Sequence, residues 1–418
     1  MASAISRAAP EQAQAAHGPL HGLRVLDLTH YIAGPFCTKL LADYGADVIK
    51  IERPGRGDGM RHVGPFLNDA PNPEKAGPFL YLNTNKFGVT LNLKQYEGRQ
   101  LFLEMLKSAD VVVENFSPGT LESSSLHYEE LRKTTPDLVM TSISNFGQTG
   151  PYRDFKANEL IEYGMGGQLR STGYPDRPPV KLGGNVGIYQ AGQNATFATV
   201  TALFRRELDG FGDYLDVSLF ETQASNQDRR SIYMLNHEYT GAITKRHSDA
   251  TGLAFGIFPC ADGYICFWSG VNRFSRVAEM VGRPELMNDP RFADYERGVS
   301  DDAIHYFNND VLLPWTLERD LYTVWRESQK CGLATAPVMS PGQFFADPYY
   351  RARGFFPTID HPKAGKLDYP GRPFIMQNSP WKLRRPAPLL GQHNQEIYGG
   401  MLGLSTKEIA DLRKGGII

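Results

Sequence analysis

A chain of 418 residues with 41% hydrophobic and 22% charged residues has enough sequence for one large domain and a smaller one, each with its own core. Its formal net charge of −2 removes the electrostatic case for nucleic acid or an anionic membrane surface as a partner. No apolar run approaches the ~18 residues that span a bilayer, and the four cysteines (Cys37, Cys260, Cys266, Cys331) form no C-x-x-C pair, so reduced thiols, no metal site and a cytoplasmic setting are expected.

Residues 1–19 are rich in Ala and Gln without a continuous apolar stretch and read as a disordered leader, not a secretory signal. From Leu23 the pattern becomes regular. "LRVLDL" predicts a strand, "CTKLLADYG" a helix stopped at Gly45, and "ADVIKIE" a second strand, together a βαβ unit. "GRQLFLEMLKS" then predicts a helix, "ADVVVENF" a third strand, "YEELRKTTP" a helix, and "DLVMTSISNFG" a fourth strand. This alternation argues for a parallel, doubly wound sheet, whose ligands bind beyond the carboxyl ends of the strands. Those ends are Thr29–His30, Glu52–Arg53, Asn115–Phe116 and Asn145–Phe146. The turn after the first strand reads "THYIAGPF" and lacks G-x-G-x-x-G, which disfavours NAD.

"ELIEYGMGG" predicts a short helix, and "ATFATVTALF" the body of a long one reaching Arg206. Between them lies "LGGNVGIYQAGQ", where Arg177 to Arg206 contains no acidic residue. "GDYLDVSLFE" reads as a further strand, followed by the helical "TQASNQDRRSIYMLN". From about Lys245 the character changes. "GIFPCADGYICFW" predicts a hairpin turning at Asp262–Gly263, and the helical segments to Gly332 complete a smaller α+β domain. The sequence divides into a leader (1–19), a large domain (20–225), a linker (226–244), a small domain (245–335), and a return linker with a C-terminal segment (336–418) packing on the large domain.

The blocks "LRVLDLTHYIAGPFCTKLLADYGADVIKIERPGRGD", "NTNKFGVTLNL", "ADVVVENFSPGTL", "SISNFGQTGPY", "FPCADGYI", "GLATAPVMS" and "RPAPLLGQHNQEI" resemble, in order, the family III CoA-transferases. That group includes formyl-CoA transferase, carnitine CoA-transferase and the α-methylacyl-CoA racemases. The resemblance runs from Leu20 to the C-terminus. It implies a large Rossmann-like parallel-sheet domain and a smaller α+β domain, joined by long linkers in an interlocked-ring dimer. It also implies coenzyme A or acyl-CoA as substrate, with a carboxylic acid as the second substrate and succinyl-CoA as one donor. The family's chemistry has an aspartate attack the thioester, giving a mixed anhydride and then an enzyme-bound CoA thioester.

Carried over by position, the resemblance implies CoA contacts at His30, Ala33, Arg53, Leu91, Lys94, Asn115, Phe116 and Lys156. It departs from the family at two places. Ser123 stands where the pattern P-G-x-x-x-R-x-G has arginine, and Ser125 replaces that pattern's last glycine. The catalytic aspartate lies four residues before a glycine that matches Gly192, and its place is taken by Ile188. Isoleucine cannot attack a thioester. The racemase branch needs the same aspartate, with a histidine whose place is Asn158, so the same reading excludes racemase chemistry. Glu159 is the substitute carboxylate to consider, against a role as a first-turn helix residue; Glu162 is a weaker one. His247 and Arg246 read as structural or linker residues, and Lys245–Arg246 and Lys382–Arg385 as solvated faces.

Three functions follow. The first and favoured one makes this chain the non-catalytic subunit of a heteromeric CoA-transferase of the benzylsuccinate type, with a homologous Asp-bearing subunit as partner. The second is a self-sufficient enzyme using Glu159, and the third a non-catalytic acyl-CoA-binding protein. Tyr31, Ile32 and Tyr189 suggest a bulky or aromatic acid.

Overall fold

The computed structural model of the chain describes residues 17–225, 228–243, 246, 252–269 and 273–418. Most of the expected leader, both ends of the expected linker, Lys245 and His247 lie outside the described residues. The chain forms two compact units. The first contains the described residues of Met1–Leu169, Lys181–Ala242 and Gly354–Ile418; the second contains those of Arg170–Val180 and Ile243–Arg353.

The first unit is built on a six-stranded sheet: β1 (Arg24–Asp27), β2 (Asp47–Glu52), β3 (Phe87–Thr90), β4 (Val111–Glu114), β5 (Val139–Ser144) and β6 (Asp213–Ser218). Every pairing is parallel, in the order β3-β2-β1-β4-β5-β6. β4 and β5 are buried along their whole length, as continuous apolar and β-branched runs covered on both faces should be. Helices α1 (Ala33–Asp43), α2 (Gly77–Leu82), α3 (Tyr96–Leu106), α4 (Tyr128–Thr134), α5 (Glu159–Met165), α6 (Val186–Asp209) and α7 (Leu219–Ser225) connect and cover it.

Several boundaries differ from the sequence reading. β3, inside "NTNKFGVTLNL", was not anticipated as a strand; it is a four-residue edge strand interrupted by Gly88, too short to show a period. α6 starts at Val186, well before the apolar body of the helix, inside the glycine-rich stretch. The strand expected over "GDYLDVSLFE" ends at Ser218, and its last residues open α7. Gly192 allows α1 and α6 to cross closely: a Cβ there would stand 2.5 Å from the Ala33 carbonyl oxygen. The C-terminal helix Thr406–Lys414 opens with a Ser405–Glu408 capping box, and Ile417 and Ile418 bury in the core cluster containing Leu91 and Phe102.

The second unit carries an antiparallel sheet of β7 (Phe255–Cys260), β8 (Gly263–Trp268) and β9 (Ala334–Pro337). The hairpin turns at Ala261–Asp262, one residue earlier than expected, because Gly263 already pairs with Cys260. Asp262 is used as an anchor, its carboxylate accepting the Leu321 N–H at 2.7 Å. Residues 170–180, read from sequence as part of the large domain, cluster with this unit.

Candidate active site

In a doubly wound sheet the crevice opens where the strand order reverses, here between β1 and β4. The two strand ends are tied together at that point. The His30 N–H donates to Asn115 Oδ1, and Asn115 Nδ2 donates back to the His30 carbonyl, both at 2.8 Å. The His30 ring lies edge-on to Phe116 at 5.4 Å. Burial first, then the nearby Lys50 charge, hold its imidazole below the usual value.

The turn from β1 into α1 is set by charges buried beneath it. Asp58 accepts the N–H groups of Tyr31 and Met60, each at 2.9 Å, and pairs with Lys50 at 2.9 Å. Lys50 also donates to the Thr29 carbonyl at 2.9 Å. These bonds hold Tyr31 at φ +65°, a left-handed conformation that costs a non-glycine residue about 1–2 kcal/mol. Behind them, Lys86 and Thr38 anchor Asp27 at 3.0 and 2.7 Å. Burial alone would raise the Asp27 pKa, but Lys86 and Lys50 outweigh it and keep the group ionised.

Above this turn lies a cavity of about 570 Å³, a volume suited to the reactive end of a cofactor-sized ligand. Of the residues singled out from sequence, Ala33, Asn115, Phe116 and Lys156 line it as expected contacts, and Tyr31, Ile32, Asn158, Glu159, Glu162 and Ile188 line it as well. His30 supports the wall through Asn115 and Phe116. Arg53 is exposed just past β2, and Lys94 is exposed ahead of α3; neither lines this cavity. Leu91 is buried in the core with Phe102 and Met105, so its side chain is a packing residue.

Ser123 lies apart, on a groove of about 290 Å³ that it shares with Tyr96 and Arg99. The Arg99 guanidinium donates to the Leu93 and Lys94 carbonyls at 3.3 and 3.0 Å. Ser125 sits at φ +55°, which explains in physical terms why a glycine suits that position.

Ile188 is in the first turn of α6, half buried between the cluster of Ala33, Cys37 and Ala191 and the cluster of Ile32 and Met60. Next to it, the Gly187 N–H donates to Glu159 Oε1 at 2.9 Å. The other Glu159 oxygen pairs with Lys181 at 2.7 Å, and Lys181 also donates to the Leu182 and Gly184 carbonyls. Glu159 therefore clips the glycine-rich strap onto the start of α6, with both oxygens engaged. A Cβ at Gly187 would stand 2.2 Å from Gln223 Nε2, so a larger residue there would have to push the Gln223 amide aside.

Glu162, one turn along α5, is the opposite case. It is 1% exposed, lines the cavity, and neither carboxylate oxygen has a hydrogen-bond partner. Burial, with Glu159 second, raises its pKa to about 7. The sequence showed Glu159 and Glu162 on one face of one helix. It held no signal for which would be paired, because the deciding partner, Lys181, comes from the strap. Arg153, Asn145 and Met60 are further lining residues that were not anticipated as site residues; Asn145 alone had a signal, as a strand end.

Among the described residues no group of three or more His, Cys, Asp or Glu is placed to hold a metal ion, and no helix is long and apolar enough to cross a membrane. A parallel sheet with its crevice at the β1/β4 reversal and a cavity of about 570 Å³ above it define an α/β protein with a ligand site at the strand ends. Residues 20–394 match the CoA-transferase family III, and the chain belongs to that family. It is 34% identical over 409 residues to the succinyl-CoA–D-citramalate CoA-transferase of Chloroflexus aurantiacus, covering 96% of this chain and 98% of that one. It is 31% identical over 425 residues to the formyl-CoA:oxalate CoA-transferase of Bradyrhizobium diazoefficiens, covering 96% and 97%. Among solved structures, a CAIB/BAIF family protein from Brucella suis superposes with a TM-score of 0.80 at 30% identity, covering 92% of this chain and all of that one.

Proposed function

We propose that this chain is a subunit of a CoA-transferase that moves CoA from an acyl-CoA to a carboxylic acid with an apolar or aromatic body, and that the nucleophilic aspartate comes from a homologous partner subunit. The observation that carries the reading is Ile188, an apolar side chain packed against two hydrophobic clusters, at the position where the resemblance puts the family's aspartate. Around it the scaffold is intact: the His30–Asn115 tie, the Asp58–Lys50 support and the cavity are all formed.

Glu159 is poorly suited to replace the aspartate. Attack on a thioester would require it to give up Lys181 and the Gly187 N–H together. Buried Ile32, Met60, Ile143 and Leu219 in the cavity wall support an apolar acid. In the proposed complex the partner's aspartate attacks the thioester carbonyl carbon and CoA leaves as thiolate. The thiolate then attacks the aspartyl carbonyl of the anhydride and releases the donor acid. The acceptor carboxylate repeats the two steps in reverse order.

The test is CoA transfer from succinyl-CoA and butyryl-CoA to a panel of aliphatic and aromatic acids. The chain is assayed alone and co-purified with an Asp-bearing homologue. Activity only in the mixed complex supports the reading; full activity of this chain alone overturns it.

A further inference from the structure

The cavity divides its charge by depth. Its solvent-facing charged residues are Arg153, Asp154 and Lys156. Arg153 is tied to Asp154 at 3.1 Å and to the Gln148 carbonyl at 2.9 Å, while Lys156 has no acidic partner among the described residues. The buried charged residues of the lining are both acidic, Glu159 and Glu162, and the rest of the buried wall is apolar apart from the Ser144 hydroxyl. Glu159 is neutralised by Lys181; Glu162 faces the cavity with neither oxygen satisfied. An unpartnered buried carboxylate costs folding free energy, so its retention calls for an account in terms of what enters the cavity.

A CoA thioester fits this polarity in one direction, with its phosphates toward Lys156 and its acyl group at the buried end. We propose that the acyl group taken there is uncharged and apolar, and that Glu162 is a specificity-determining residue that turns away acyl groups bearing a second carboxylate. This rests on the CoA-thioester reading above but does not require this chain to turn over, and it sets this chain's cavity against the succinyl-CoA donor that the resemblance implied. A second carboxylate would have to share the apolar end with Glu162, where no buried cation of the lining is available to pair with it. Like charges brought together in a poorly solvated site are worth on the order of tenfold or more in affinity.

Glu162 titrates near neutrality, at about 7, because burial and then Glu159 disfavour its ionised form. α5 packs against α6 and α7, whose ionisable residues at that end are Tyr189 and Glu221; the strap contributes Lys181, already held by Glu159. The discrimination is therefore a property of the ionised Glu162. It is present above the folded-state value and fades as the group takes up its proton below it.

The experiment is isothermal titration calorimetry of the full chain with free CoA and with two thioesters, butyryl-CoA and succinyl-CoA, whose four-carbon acyl chains differ in the terminal carboxylate. It is run at about pH 8 and about pH 6, for the wild type and Glu162→Gln. The expected result is butyryl-CoA bound at least ~10-fold tighter than succinyl-CoA at the higher pH, with the ratio falling to about threefold or less at the lower pH. In Glu162→Gln the ratio should be small at both. Succinyl-CoA binding as tightly as butyryl-CoA at the higher pH overturns the inference, as does a ratio that Glu162→Gln leaves unchanged. If the variant does not fold, the wild-type pH comparison decides alone. Binding of CoA without discrimination overturns only this inference, whereas no binding of CoA or either thioester overturns the CoA reading with it.

Discussion

Replacing Ile188 by aspartate puts a carboxylate back into the first turn of α6, beside the Gly187 N–H and at the wall of the cavity. The substitution removes a half-buried side chain from the junction of two apolar clusters, a loss of about 1–2 kcal/mol. A negative charge at the helix N-terminus returns about 0.3–1 kcal/mol. The adjacent Glu159 adds little repulsion while Lys181 neutralises it. Ile188→Asp should therefore fold with a net loss of about 1 kcal/mol, measurable by urea unfolding at constant m-value. The functional assay is CoA transfer by the variant alone, with borohydride or hydroxylamine trapping of an acyl-enzyme at residue 188. The variant should turn over and carry the adduct where the wild-type chain does neither. A folded variant with no adduct and no transfer, or a wild-type chain that is equally active, would overturn the role given to residue 188.

Other outcomes follow from the same geometry. Ser123→Arg should supply a phosphate cation on the groove beside Arg99 and tighten CoA about fivefold, roughly 1 kcal/mol, in a titration that loses the gain at high salt. Ser125→Gly should raise stability by about 0.5–1 kcal/mol, since φ +55° is cheap for glycine and costly for serine, offset in part by the more flexible unfolded chain. The Glu162 pKa is raised on folding, so the folded state holds its proton more tightly than the unfolded state does. Stability from this group is full below about 4.5 and is lost as pH rises toward about 7. Glu162→Gln should flatten that part of the pH–stability curve, by up to about 3 kcal/mol at the alkaline end, as read by melting across pH.

The central strands were legible because β1, β4 and β5 are buried apolar runs between turn signals, and their spacing by helices fixed a parallel sheet. β3 was not, because a four-residue edge strand with Gly88 inside it leaves no pattern to read. Ile188 was placed by its distance to Gly192 through the resemblance, and the structure supplies a reason for that glycine in the close crossing of α1 over α6. The difference between Glu159 and Glu162 could not be read. Both are glutamates on one short helix, and only the path of the strap, which brings Lys181 to one and not the other, sets their roles. Asp58, which holds the Tyr31 turn from a separate loop, was silent for the same reason.

The most direct test of the proposed division of labour is to locate the covalent intermediate. The mixed complex would be incubated with acyl-CoA, quenched with hydroxylamine or borohydride, and mapped by peptide mass spectrometry. The adduct should fall on the aspartate of the homologous subunit, with every peptide of this chain unmodified. An adduct on Glu159 or Glu162 of this chain would contradict it.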